Sequence, residues 1–140
     1  MHDRERGEKA AGERAILVCV LLPGRSSDCD PLEELTGLAK TAGAIVVGGM
    51  TQRRETPSPN SYLGSGKVEE LVTLVDHFKA DLVIFDNDLA PSQTRNLEKS
   101  LGVKVLDRTE LILDIFSTHA QTYESRLAVE LAQLEYALPR

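Results

Sequence analysis

Residues 15–22 read AILVCVLL, an unbroken apolar run that Pro23 and Gly24 stop at once. A run this short, with no polar alternation, is a strand covered on both faces, because a strand with one wet face would alternate apolar and polar side chains. Cover on both faces is the condition of a parallel sheet. Each parallel pairing there needs a crossover of roughly a dozen or more residues, usually a helix. The rest of the chain supplies such crossovers. Asp30 and Pro31 open a helix carrying Leu32, Leu35, Leu38 and Ala39, which Gly43 ends. A second strand at 44–47 runs into Gly48 and Gly49, and 52–62, with Pro57, Pro59 and Asn60, reads as an exposed loop. Gly64, Ser65 and Gly66 open a second helix with Val68, Leu71, Val72, Leu74 and Val75 on one side. A third strand at 81–85 (DLVIF) ends in Asp86, Asn87 and Asp88. A helix from Pro91 to Leu101 turns Leu97 and Leu101 inward, and a short strand follows at 103–106. Asp107 and Glu110 have capping-box spacing ahead of a fourth helix with Leu111, Ile112, Ile115 and Phe116. The pattern predicts an α/β fold, a four-stranded, mostly parallel open sheet flanked by helices, in strand order 2-1-3-4.

Composition agrees with one globular domain. The chain has 140 residues, of which 41% are hydrophobic and 27% charged. Sixteen Lys and Arg against 22 Asp and Glu leave a formal charge of −6, which excludes non-specific nucleic-acid binding by the whole surface but allows a local basic patch. Two cysteines, Cys19 and Cys29, make no disulfide scaffold and no metal-ligand spacing. No segment reaches the roughly 20 apolar residues of a membrane helix. The charged residues ahead of position 15 mix acid and base, unlike a secretory leader, so a cytoplasmic protein with no membrane contact is expected.

The two ends differ from the middle. Residues 1–14 are charged without apolar periodicity and read as a mobile arm. The α/β part is assigned to 15–120. In 121–140, Leu127, Leu131, Leu134 and Leu138 fall at i, i+4, i+7 and i+11, the stripe of a long amphipathic helix that wants a partner. That partner is a downstream helix, a second copy of the chain in a homodimer, or the chain's own sheet. The expected parts are thus an arm, an α/β subdomain and the start of a helical hairpin subdomain.

Ligands of an open parallel sheet sit beyond the carboxyl ends of its strands. Here those ends carry Pro23, Gly24 and Arg25, then Gly48, Gly49, Thr51 and Arg53, then Asp86, Asn87 and Asp88, then Asp107 and Arg108. Such residues also make ordinary solvated loops. The sharpest local feature is Gly64-Ser65-Gly66-Lys67 at a helix start, where backbone N–H groups and the helix dipole attract anions. It departs from the phosphate-binding P-loop twice. Ser61 stands where the first glycine belongs, and Val68 where a hydroxyl would hold Mg²⁺. The run is either a phosphate site, for a nucleotide or an RNA backbone, or a glycine-rich helix entry. Arg53, Arg54 and Lys67 form a candidate basic patch around the 52–67 loop. Asp86 and Asp88 fit turn formation better than catalysis, and no nucleophile elbow occurs. No catalytic and no metal-ligating residue is assigned.

Several long strings resemble one family. Residues 62–71 (YLGSGKVEEL), Phe85-Asp86-Asn87-Asp88-Leu89, Pro91-Ser92-Gln93 and Arg95-Asn96-Leu97-Glu98 are similar to the N-terminal domain of HflX-type GTPases. So are 105–116 (VLDRTELILDIF) and the string from Ala120 through Val129-Glu130-Leu131-Ala132-Gln133-Leu134-Glu135-Tyr136 to Arg140. The resemblance covers roughly residues 15–140. It implies a cytoplasmic factor that binds the large ribosomal subunit and its rRNA and splits or rescues stalled ribosomes. It also implies an α/β subdomain followed by a helical hairpin and a GTPase domain that takes GTP and Mg²⁺. No G-x-x-x-x-G-K-[ST] occurs in this chain, so no GTP hydrolysis falls on its residues. The chain is expected to be a truncated piece, ending inside the first hairpin helix and lacking the GTPase domain.

Three readings follow. The first is a ribosome-docking module, with Gly64, Ser65, Gly66, Lys67, Arg53, Arg54 and Arg108 as candidate contacts to phosphate or RNA. The second is a small α/β nucleotide-binding protein that takes ATP at Gly64–Lys67. The third, compatible with the first, is a domain that dimerises through its leucine stripe.

Overall fold

The computed structural model describes residues 10–24 and 30–118. Strand β1 (Arg14–Leu21) is the centre of the sheet, and its core-facing residues 15–20 are all buried. Helix α1 (Glu33–Thr41) leads to β2 (Ile45–Arg53), α2 (Ser65–Phe78) to β3 (Leu82–Phe85), and α3 (Pro91–Leu101) to β4 (Lys104–Asp107). Residues 108–118 form a last helix, α4. The four strands lie in the order β2-β1-β3-β4, all three pairings parallel, as the apolar runs predict.

The two-residue period of a strand divides the core into two layers. Ile16, Val18 and Val20 join Val83, Phe85 and Val105 on one face, under Leu71 and Val75 of α2 and Leu97 and Leu101 of α3. Ala15 and Leu17 join Leu82, Ile84 and Leu106 on the other, under Leu35 and Ala39 of α1 and Leu111 and Ile115 of α4. Each such large side chain contributes about 1.5–3 kcal/mol on full burial.

Several local expectations shift. β2 does not stop at 47. It continues through Gly48, Gly49, Thr51 and Arg53, because all eight residues of β1 find a partner along it, with Val47 skipped where the register slips between Ala15 and Ile16. Gln52 and Arg53 are therefore strand, not loop. Helix α1 starts at Glu33 rather than Pro31, since Asp30 closes a turn of its own by accepting the Leu32 N–H at 3.0 Å. Gly43, at φ +88°, ends α1 as the glycine predicts, and a Cβ there would press on Ala11 at 3.3 Å. Val72 is 38% exposed and Phe116 64%, so neither belongs to the inward faces of its helix. Residues 10–14, assigned to the arm by charge pattern, are built into the fold. Ala10 is fully buried and the Gly12 N–H donates to the Gly43 carbonyl at 2.8 Å. The leucine stripe at Leu127, Leu131, Leu134 and Leu138 lies outside the described residues.

Candidate functional site

All strands being parallel, their carboxyl ends share one rim, and the topology reverses between β1 and β3, the position where open sheets of this kind leave a crevice. Asn87 fills it. Its side-chain Oδ1 accepts the Val20 N–H at 2.8 Å, and its Nδ2 donates to the Val20 carbonyl at 2.9 Å. The amide thereby extends the β1–β3 ladder by one rung beyond Phe85, using a side chain where backbone pairing ends.

On the α1–α4 side of this staple the rim is ionic. Arg108, the first residue of α4, donates from Nη1 to Asp86 Oδ1 at 3.0 Å and from Nη2 to Glu34 of α1. The hydrogen bond to Glu34 is the largest cause of a raised Arg108 pKa, against an opposing contribution from burial, so the guanidinium stays charged. Cys19 Sγ lies 3.7 Å from the other Asp86 oxygen, in full burial. Asp107 accepts the Glu110 N–H at 2.8 Å and the Leu89 N–H at 3.0 Å, while Glu110 reaches back to the Asp107 N–H at 3.4 Å. This is the capping box that the spacing predicts, with a loop tied in. Asp88 accepts the Thr109 hydroxyl at 2.7 Å. Asp86 and Asp88 thus tie the end of β3 to α4 through side chains 22 and 21 residues away, partners that an expectation of local turn formation does not include.

On the α2–α3 side the rim is basic. Gly64 is the N-cap of α2, with extended φ −67° and ψ 154°. Its N–H donates to Gln52 Oε1 at 3.0 Å. The Arg54 guanidinium lies so close that a Cβ on Gly64 would stand 2.7 Å from Nη1, and Arg54 Nε donates to the Thr56 carbonyl at 2.9 Å. Arg53 is exposed at the end of β2, and Lys67 pairs with Glu70 at 3.0 Å along α2. The candidate residues Gly64, Ser65, Gly66 and Lys67 are one helix start, with Arg54 laid against it; Arg53 does not join them, because Gln52 faces α2 and the two-residue period of β2 turns Arg53 toward the α1 layer. Arg108 belongs to the ionic cluster instead and is not brought to this patch.

The loop before α2 is pinned rather than loose. Ser58 and Tyr62 exchange two backbone hydrogen bonds at 2.9 and 3.0 Å. Gln93 Nε2 donates to the Ser58 carbonyl and Asn96 Nδ2 to the Asn60 carbonyl, each at 2.9 Å. Tyr62 takes φ 67°, a conformation rare for a bulky residue, and its ring is buried in the α2–α3 layer. Burial pushes its phenol pKa up, and the hydrogen bond with Asn87 pulls the other way. Sequence reasoning missed this arrangement. Asn87, Gln93 and Asn96 are amides whose partners are 35 to 67 residues away, and nothing local announces them.

The helix start lacks the parts that make a P-loop hold a nucleotide triphosphate with Mg²⁺. Val68, where Mg²⁺ needs a hydroxyl, is packed against the core, and the Gly64 N–H is already taken by Gln52. Among the described residues no group of His, Cys, Asp and Glu is placed to hold a metal ion, and no helix is long and apolar enough to cross a membrane.

Comparison with known proteins adds a family. The model of the GTP-binding GTPase N-terminal domain matches residues 29–117. A GTPase HflX of Alkalihalophilus pseudofirmus is 54% identical over 109 residues, covering 78% of this chain and 26% of the relative. A GTPase HflX of Caldanaerobacter subterraneus is 50% identical over 128 residues, 91% of this chain and 29% of the relative. Among solved structures, a GTP-binding protein from Sulfolobus solfataricus in complex with GDP shares 26% identity at a TM-score of 0.59, over 90% of this chain and 37% of that one. The chain spans less than a third of the length of these two relatives.

Proposed function

Because the chain belongs to the HflX family of GTP-binding proteins, as its N-terminal domain, we propose that it is the part that docks such a protein onto the large ribosomal subunit in the cytoplasm, so that stalled ribosomes are split or rescued. GTP and Mg²⁺ belong, in this reading, to the GTPase domain of the whole protein. The work of this domain is recognition. The observation that carries the reading is the rigid basic edge at the start of α2. Arg54 lies against Gly64, Lys67 stands in the first turn of α2, and side chains of β2 and α3 hold the loop that presents them. An edge of fixed cations and helix N–H groups suits the phosphates of folded RNA, where position carries as much as charge. The net charge of −6 keeps the rest of the surface from binding RNA indiscriminately.

The test is co-pelleting of the purified chain with separated large and small ribosomal subunits through a sucrose cushion at low and high salt. The reading expects the chain in the large-subunit pellet at low salt and its loss from the pellet at high salt. Equal pelleting with both subunits, or none with either, contradicts it.

A further inference from the structure

Helix α3 distributes its charges unlike α1 and α2. Ser92, Arg95, Asn96 and Lys99 are all exposed and recur at i, i+3, i+4 and i+7, so they share one face. No acidic residue stands among the exposed positions of this helix. Its one carboxylate, Glu98, turns to the sheet and accepts the Val105 N–H at 3.0 Å. Exposed acids gather on the other helices instead, Glu33 and Glu34 on α1 and Glu69, Glu70 and Asp76 on α2. Among the described residues Arg95 and Lys99 have no carboxylate partner, whereas Lys67, Lys104 and Arg108 are each paired. In a chain of net charge −6, two unpaired cations about 6 Å apart along one acid-free face make a local positive stripe. The stripe is tied to the basic edge already described. Asn96, on the same face, donates to the Asn60 carbonyl, and Gln93, one turn earlier, donates to the Ser58 carbonyl. Both bonds seat the loop before α2 against α3, and Arg54 holds the Thr56 carbonyl of that same loop. One pinned loop therefore joins Arg54 to the face that carries Arg95 and Lys99.

We propose that this face of α3 is a second RNA contact, on which Arg95 and Lys99 take backbone phosphates and Ser92 a phosphate or a 2′-hydroxyl. The proposal rests on large-subunit docking and extends its footprint from the start of α2, across the loop, to α3. Charge complementarity selects the occupant. Cations without neighbouring acids suit a polyanion, and hydroxyl and amide side chains between them suit a sugar–phosphate backbone. A protein partner would want an aromatic or aliphatic anchor at the centre of its contact, and no large apolar side chain of α3 is exposed.

The test uses the full chain and purified large subunits across a salt series. Arg95→Gln with Lys99→Gln should bind more weakly at low salt. Its slope of log affinity against log salt should be shallower by about 1–2, since each lost phosphate contact removes about 0.7–0.9. Lys40→Gln with Lys79→Gln makes the same change in net charge, at exposed lysines of α1 and of the far end of α2, and should keep the wild-type slope. A second measurement leaves both cations of α3 in place. Ser92→Cys in a Cys29→Ser background, loaded with an iron chelate that cleaves nearby RNA, should cut the large-subunit rRNA at discrete positions, and Lys40→Cys loaded in the same way should not. Four results overturn the proposal and leave docking itself standing. They are a wild-type slope in the Arg95 and Lys99 variant, an equal loss in the Lys40 and Lys79 variant, equal cleavage from positions 40 and 92, and binding without rRNA cleavage from position 92 (an acidic protein surface on α3). A wild-type chain that binds no large subunit overturns docking and the α3 contact together.

Discussion

Asn87 closes the crevice between β1 and β3 with one amide that satisfies both backbone groups of Val20. Removing it leaves a donor and an acceptor of the central strand unpaired at a partly buried position. Asn87→Ala should therefore cost about 1–3 kcal/mol in chemical denaturation. Asn87→Asp should be little better, since a carboxylate keeps the acceptor for the Val20 N–H but turns a second oxygen toward its carbonyl. Tyr62, hydrogen-bonded to the same amide, gives a pH signature. Burial raises its pKa in the folded chain, so the folded state holds the phenol proton to higher pH than the unfolded one. Its contribution is fully present below the unfolded value of about 10 and lost as pH rises through the raised value. Stability of the wild type should fall more steeply as pH rises above about 10 than that of Tyr62→Phe, measured as denaturation midpoints. Parallel curves would show that the buried phenol carries no such linkage.

At the scale of elements, the helix starts differ in how legible they are, and the reason is distance along the chain. The Asp107–Glu110 box can be read from a three-residue spacing and is formed as read. Asp107→Ala should cost about 0.5–2 kcal/mol. Because Asp107 also holds the Leu89 N–H, exchange should rise at Leu89 as well as in the first turn of α4. The entry to α2 is also legible as a helix start, but its surroundings are not. Gln52, Gln93 and Asn96 reach it or its loop from β2 and α3, and only the folded topology brings them there. The length of β2 escaped for a related reason. Gly48 and Gly49 have weak strand propensity, and the strand persists across them because β1 offers a partner at every step. The edge position of β2 leaves its residues half-exposed, so no apolar run marks its end.

At the scale of the whole molecule, the architecture was readable because parallel strands covered on both faces write themselves as short apolar runs between amphipathic helices. Both core layers follow from that alternation; the strand order does not, since right-handed parallel crossovers permit other orders, and the fold supplies it. The proposed docking role is not readable from periodicity or spacing. It is argued from long strings shared with a family, and from a helix start against which only the folded topology lays Arg54. Two predictions belong at this scale. With no G-x-x-x-x-G-K-[ST] in its sequence and Val68 packed inward, the purified chain should show no GTP turnover above buffer with Mg²⁺ present, and turnover that survives further purification would contradict this. The central claim is that the chain engages the large ribosomal subunit through the basic edge at α2. Its most direct measurement is the affinity of the chain for large subunits across a salt series, for wild type and for Arg54→Ala with Lys67→Ala. Each phosphate contact contributes about 0.7–0.9 to the slope of log affinity against log salt, so the double variant should bind more weakly at low salt with a slope shallower by about 1–2. Equal affinities and parallel slopes for the two proteins would contradict the account.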